Sequence, residues 1–182
     1  MVALTTPKVD KGWKAKDFNL LSVDGKHYSL EKVKESKGLV VAFICNHCPY
    51  VKAIANKIAK EAEELDKLGI GFVAINSNDT VMYPEDSYER MQIFTQQHNF
   101  RFPYLFDETQ EVAKEYGAIC TPDFFGFNTD LELQYRGRLD SAKMDVIPSA
   151  NRELFIAMSE IAETGEFKGE QTRSVGCSIK WK

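Results

Sequence analysis

Leu39-Val40-Val41-Ala42-Phe43-Ile44-Cys45-Asn46-His47-Cys48-Pro49 is the stretch on which the reading of this chain turns. Its first six residues are apolar without interruption, the pattern of a central strand buried on both faces. Two cysteines follow at once, with two residues between them. From Pro49 to Leu68, the residues Val51, Ile54, Ile58, Ala62, Leu65 and Leu68 recur at spacings of three and four. That spacing makes one apolar face of a helix, with lysines and glutamates on the other. Gly69 ends the helix, and Ile70 to Ile75 is a second buried run. Strand, helix and strand make a right-handed βαβ unit with two parallel strands. The cysteines sit at its first strand-to-helix junction.

Free amides at a helix N-terminus carry partial positive charge, which stabilises a thiolate. The spacing predicts that Cys45 takes this benefit and acts as nucleophile. Cys48, one turn further in, resolves the mixed disulfide that Cys45 makes, which is dithiol–disulfide exchange. His47 lies between the thiols, and as an imidazolium it favours a neighbouring thiolate. Pro49 fits a first-turn position, where its missing amide hydrogen costs little.

Working outward, Asp24-Gly25 between Phe18–Val23 and Lys26–Tyr28 marks a hairpin, and Ser29 caps a short helix through Val33. Residues 1–12 read as a loose arm. The loop Asn76-Ser77-Asn78-Asp79 leaves the second strand at the edge of the sheet that carries the cysteines. Pro84 to Asp86 prepare a helix over Ser87–His98, with Tyr88, Met91 and Phe94 as its core positions. Tyr104–Phe106 is a short strand, and Val112, Ala113 and Tyr116 lie on a short helix ended by Gly117. Phe124–Phe127 and Leu131–Tyr135 form a hairpin about Asn128-Thr129-Asp130. A last helix runs from Ser149 to Glu163, with Leu154, Ile156, Ala157 and Ile161 as its apolar positions.

The chain has 182 residues, enough for one domain with a full core. No repeat or linker divides it. Net charge is −4 with acids and bases mixed, so no basic stripe marks a nucleic-acid partner. No apolar run approaches a membrane span, and the first residues lack the layout of a signal peptide. A cytoplasmic location is the expectation. Four cysteines in a chain of this length do not make a disulfide-stapled scaffold, and a Cys-x-x-Cys beside a βαβ pattern reads as redox or metal chemistry.

Tyr116-Gly117-Ala118-Ile119-Cys120-Thr121-Pro122, the hairpin after it and the last helix complete a pattern that resembles the thioredoxin fold. Asp17-Phe18-Asn19-Leu20, Asp24-Gly25 and Tyr28-Ser29-Leu30 resemble the N-terminal extension of the alkyl-hydroperoxide-reductase/thiol-specific-antioxidant branch. Gly176-Cys177-Ser178-Ile179-Lys180-Trp181 resembles the tail of peroxiredoxin-like proteins that keep a thioredoxin-type motif. The resemblance spans nearly the whole chain. It implies an α/β fold with a central mixed sheet flanked by helices, an N-terminal hairpin extension and a C-terminal tail. It also implies a single domain over 1–182 with 166–182 docked on it. By the same resemblance Pro122 is a cis-proline facing the active-site thiols, and Thr121 offers backbone groups to an extended substrate.

Asn78 and Asp79 are candidates to border that groove and relay protons. Cys120 and Cys177 are candidate additional redox thiols. The tail is expected to bring Cys177 near Cys120 and to bury the indole of Trp181. The family often carries a buried carboxylate that accepts the resolving thiol's proton, and the strand 39–44 offers none.

The leading function is a thiol–disulfide oxidoreductase in cell redox homeostasis. Its partners are protein or small thiol and disulfide substrates and a reducing dithiol, with no cofactor, nucleic acid or membrane. The alternative is a thiol peroxidase with Cys48 peroxidatic. Against it, the family's peroxidatic pattern wants a threonine or serine where Cys45 stands and a proline where Val41 stands. A third reading is a metal-binding module of Cys45, Cys48, Cys120 and Cys177 with His47, which falls short of a paired zinc pattern. A fourth is a redox-inactive binding domain, against which both retained thiols argue.

Overall fold

The computed structural model describes residues 3–182. Its frame is a seven-stranded sheet. In chain order the strands are β1 (Ala3–Thr5), β2 (Asn19–Ser22), β3 (His27–Ser29), β4 (Gly38–Phe43), β5 (Ile70–Asn76), β6 (Tyr104–Phe106), β7 (Cys120–Thr121), β8 (Asp123–Phe127), β9 (Leu133–Gly137) and β10 (Val175–Ser178). The main sheet has the order β3-β2-β6-β5-β4-β8-β9, and β1, β10 and β7 form a second sheet in the order β1-β10-β7. The helices are α1 (Leu30–Val33), α2 (Pro49–Asp66), α3 (Tyr88–Gln97), α4 (Glu111–Tyr116) and α5 (Glu153–Thr164).

The apolar run at 39–44 is β4, and its neighbours explain why it has no polar side. It pairs in parallel with β5, Val40 opposite Phe72, and antiparallel with β8, Val41 opposite Phe125. Alternate side chains then enter two cores. Val40, Ala42 and Ile44 pack with Val51, Ile54, Ile58 and Leu65 of α2 and with Leu154, Met158 and Ile161 of α5. Leu39, Val41 and Phe43 pack on the other face with Tyr116, Phe125 and Phe127. Each fully buried side chain of this kind contributes about 1.5–3 kcal/mol of transfer free energy. The hairpin β2–β3 joins the sheet through β2 and β6, Leu21 opposite Phe106.

Four local expectations change. Residues 3–5 are not a loose arm: β1 pairs with β10, Leu4 opposite Gly176, and residues 1–2 lie outside the described residues. The last helix starts at Glu153 rather than Ser149, because residues 141–152 run as turns around Lys143 in the left-handed region. On it Ile156 is exposed, and Met158 takes the core position instead. The hairpin after Phe127 has a longer turn, since Leu131 sits at φ 58 and β9 begins only at Leu133.

The tail does not trail away. β10 lies between β1 and β7, with Cys177 opposite both Ala3 and Thr121. Gly176 makes this approach feasible: a Cβ there would stand 1.9 Å from the Thr121 carbonyl oxygen. The strand ends at Ser178, so the alternation that buries Cys177 and Ile179 does not carry to Trp181, whose side chain remains 42% exposed. The expected burial of the indole is therefore not found. Lys114 Nζ lies 5.7 Å from the centre of that ring.

Candidate active site

The end of β4, the start of α2 and the turn at Pro122 meet at one edge of the sheet. Pro49 is the first residue of α2, which makes Cys48 the N-cap and leaves Cys45 in the loop before the helix. The helix-terminus benefit expected for Cys45 therefore falls to Cys48. Cys48 Sγ also contacts the Thr121 carbonyl at 3.3 Å and Cys177 Sγ at 2.8 Å. Cys45 Sγ lies 3.3 Å from Thr121 Oγ1. The Thr121–Pro122 bond is cis.

The surroundings separate the two thiols. The hydrogen bond from Cys45 holds the Cys48 thiol well below its ordinary pKa. Burial opposes this, while the Cys177 thiol and the amides of Val51 and Cys177 add to the lowering. Cys45 is pushed up by burial, by its hydrogen bond to Cys48 and by the negative charge of Asp86. The surroundings thus favour the thiolate form of Cys48 over that of Cys45. Burial pushes Cys120 up to about 12, with the Asp123 charge adding to it.

A buried carboxylate does stand at the site: it is Asp86, and it lies beside Cys45 and His47 rather than beside the resolving thiol Cys48. It stands at the end of the short 3-10 turn Pro84–Asp86 and is fully buried. Its Oδ1 accepts from the backbone amides of Asn46 at 2.7 Å and His47 at 3.2 Å. Its Oδ2 meets His47 Nδ1 and accepts from Asn78 Nδ2 at 2.8 Å. Asn76 Nδ2 donates to the Asp86 carbonyl and fixes the turn from below. Asp86 thus holds the Asn46–His47 part of the motif loop by backbone and side chain together. Tyr104, donating to Asn46 Oδ1 at 2.9 Å, holds the same loop from the sheet.

His47 stacks on Tyr83, ring centres 5.4 Å apart. Its hydrogen bond to Asp86 raises its pKa above the ordinary value, with burial acting in the opposite sense. The imidazolium charge is therefore matched chiefly by Asp86 rather than held free for a sulfur. Nε2 is buried and has no partner among the described residues, so one donor of the charged ring is uncommitted.

The remaining candidates converge unevenly. Asn78 reaches the site through Asp86, and its Oδ1 accepts from the Lys180 amide at 2.8 Å. The Asp79 amide donates to the Lys180 carbonyl at 2.8 Å, so both residues hold the tail. Cys177 meets Cys48 and not Cys120, because the register sets Ser178 opposite Cys120. All four cysteines are free thiols, each at most 2% exposed. The four-cysteine metal set is not what comes together. Among the described residues, Cys45, His47 and Asp86 bring donor atoms within 4.8 Å of one another, one ligand short of the usual four of structural zinc. Sequence reasoning also missed Gln110, whose amide donates to the Ser77 and Lys180 carbonyls and whose Oε1 accepts from the Lys182 amide. Beside β10, a cleft of about 270 Å³ is lined by Tyr50, Pro122, Arg138, Lys143, Arg173 and Val175.

A dithiol at a helix start, opposite a cis-proline on a mixed sheet, defines a thioredoxin-like protein of the redoxin branch. The AhpC/TSA family model matches residues 12–138, and the chain belongs to that family. It is similar to the crystal structure of an uncharacterized conserved protein from Geobacillus kaustophilus, with 44% identity and a TM-score of 0.94 over 100% of this chain and 97% of that one. It is 29% identical over 119 residues to the chloroplastic peroxiredoxin Q of Oryza sativa subsp. japonica, covering 65% of this chain and 50% of that protein. It is 25% identical over 126 residues to the thiol-disulfide oxidoreductase ResA of Bacillus thuringiensis subsp. konkukian, covering 68% and 66%. The chain thus matches half of the first of these two relatives and just under two thirds of the second.

Proposed function

We propose that the protein is a thiol–disulfide oxidoreductase whose Cys45–Cys48 pair exchanges electrons with protein or small thiols. The observation that carries this reading is the unequal environment of two adjacent sulfurs opposite the Thr121–Pro122 turn. In thiol–disulfide exchange the sulfur of lower pKa leaves more readily. A reducing thiolate therefore attacks Cys45 of the Cys45–Cys48 disulfide. The electron pair of the broken bond goes to Cys48, where the α2 terminus and its donors hold it. In the reverse step Cys48 thiolate attacks the mixed disulfide at Cys45 and releases the partner. Asp86 and His47 position the Asn46–His47 loop throughout. The kinship with ResA supports this assignment.

The experiment is trapping. Cys48→Ser protein, offered a disulfide-containing protein substrate, is expected to accumulate mixed disulfides at Cys45. Cys45→Ser is expected to lose reductase activity. Accumulation on Cys45→Ser instead would reverse the assignment.

One observation favours a second reading. The surroundings favour a thiolate on Cys48, the position that aligns with a peroxidatic cysteine, and peroxiredoxin Q is among the relatives. There Cys48 thiolate attacks a peroxide oxygen and becomes a sulfenic acid as water or alcohol leaves. The Cys45 thiol then condenses with it, releasing water and forming the disulfide. Rapid peroxide consumption by the reduced protein, lost in Cys48→Ser, would favour this reading over disulfide exchange.

A further inference from the structure

Each residue that the resemblance or the loop geometry assigned to a substrate groove is occupied by the chain's own tail. Thr121 pairs antiparallel with Cys177. The Pro122 carbonyl accepts from Ser174 Oγ at 2.7 Å. Asn78 Oδ1 and the Asp79 amide hold the two backbone groups of Lys180. Between these anchors the Ile179 amide donates to the Ile119 carbonyl at 2.9 Å. An added extended strand is one of the general ways in which sheets bind peptides, with main-chain bonds for affinity and alternate side chains directed inward. β10 meets that description, and its inward side chain at the sulfurs is a cysteine.

We propose that Cys177 is a third redox thiol of this site, an internal exchange partner for Cys48 that β10 presents as a bound substrate cysteine would be presented. The proposal rests on the exchange reading of Cys45 and Cys48 given above. The step needs no outside reagent once that pair is oxidised. Cys177 thiolate attacks Cys48 Sγ of the Cys45–Cys48 disulfide. The Cys48–Cys177 bond forms, the Cys45–Cys48 bond breaks, and its electron pair leaves on Cys45 Sγ; the direct contact of Cys177 with Cys48 selects this sulfur against the leaving-group order that guides an outside thiolate. The proton given up by Cys177 ends on Cys45, and the protein neither gains nor loses electrons.

The geometry is close to what this requires. The two sulfurs are 2.8 Å apart, and a disulfide spans about 2.05 Å, so a side-chain movement of under about 1 Å closes the gap. In the reduced site burial and the neighbouring Cys48 sulfur push Cys177 up to about 12, which keeps it a thiol in contact with Cys48. Oxidation of Cys48 removes the second of these causes. The product ties β10 to the start of α2 and closes the groove. The reverse exchange, with Cys45 attacking Cys48, unties it. An outside disulfide then competes with an occupant that belongs to the same chain.

The test oxidises the full-length Cys45→Ser protein in glutathione buffers of rising poise until its thiol titre stops falling. Free thiols are then alkylated and the disulfides mapped by mass spectrometry. Glutathione disulfide first caps Cys48, and Cys177 then displaces glutathione. The expected end state is a Cys48–Cys177 disulfide with Cys120 alkylated. A persistent glutathione adduct on Cys48 with Cys177 alkylated would overturn the proposal, as would both thiols staying alkylated at the most oxidising poise. Wild-type protein taken through the same series gives an independent reading. Both the Cys45–Cys48 and the Cys48–Cys177 peptides are expected. Cys45–Cys48 alone would sink the third thiol and leave the exchange reading standing. Cys48–Cys177 alone would sink the exchange reading and keep the tail pairing.

Discussion

Replacing Asp86 by asparagine keeps the volume of the carboxyl group and removes its charge. Asp86 is fully buried and accepts from two backbone amides, His47 Nδ1 and Asn78 Nδ2. The replacing amide keeps one oxygen for the amides of Asn46 and His47. Its NH₂ group then faces the donors of His47 and Asn78, so two charge-assisted bonds become donor against donor. Removing one partner of a buried ion pair costs about 3–5 kcal/mol, and hydrogen bonds to charged groups are worth about 1.5–3 kcal/mol. Because the variant fills the same space, the expected loss near pH 6 is at the low end, about 3 kcal/mol.

The pH dependence follows from the direction of the His47 shift. Its folded pKa is raised by Asp86 above the unfolded value of about 6.5. Its contribution to stability is therefore fully present below that value and is lost as pH rises through the folded pKa. At a pH well above the folded pKa the ring is neutral and its Nδ1 accepts from the new amide. The expected cost there is only about 1–2 kcal/mol, from the mismatch with Asn78. Urea unfolding of reduced wild type and Asp86→Asn at both pH values measures the difference, and NMR titration of the His47 ring gives its pKa directly. An unchanged His47 midpoint in the variant, or an equal loss of stability at both pH values, would refute the reasoning.

Gly176→Ala places a Cβ 1.9 Å from the Thr121 carbonyl oxygen, so β10 must shift. A loss of about 1–3 kcal/mol and faster alkylation of Cys45 and Cys48 are expected, read by denaturant unfolding and timed iodoacetamide labelling. If Cys48 holds the charge of the reduced site, thiolate ultraviolet absorbance near pH 7 disappears in Cys48→Ser and persists in Cys45→Ser; the opposite pattern would move the charge to Cys45. Arg136→Met leaves Asp123 buried without its partner at 2.7 Å and is expected to cost about 3–5 kcal/mol near pH 8. Burial already raises Asp123 to about 6, so its stabilising effect is complete below the unfolded carboxyl value and lost as pH rises. The cost of Arg136→Met should therefore shrink near pH 5, and a constant cost in unfolding curves would count against the buried charge.

The parts of the fold legible in the sequence are those that local pattern controls. Leu39–Ile44 is uniformly apolar because β4 is covered on both faces, and the three-and-four spacing after Pro49 is the inner face of α2. The Cys-x-x-Cys motif, the turn at Pro122 and the loop at Asn78 announced the site. The misplaced helix start had a readable signal: proline prefers the first helical position, which makes Cys48 the N-cap. Asp86 was hidden for a different reason. It enters through a loop and a single 3-10 turn with no periodicity to mark its direction, and Pro84-Glu85-Asp86 reads equally well as a helix prelude. Gln110, at φ 66 before α4, left no pattern at all. The partner of Cys177 depended on strand register, which alternation alone does not fix when the strand is four residues long.

The small sheet β1-β10-β7 stitches Ala3–Thr5 and Val175–Ser178 to the strand that ends in Thr121. The two ends of the described chain are therefore mechanical parts of the redox centre. A fusion partner, affinity tag or surface tether at either end pulls on the strand that covers the sulfurs. Load on Lys182 is carried through Gln110 and Asn78 toward Asp86. An internal attachment point on the exposed face of α2, such as Lys60, leaves that linkage slack.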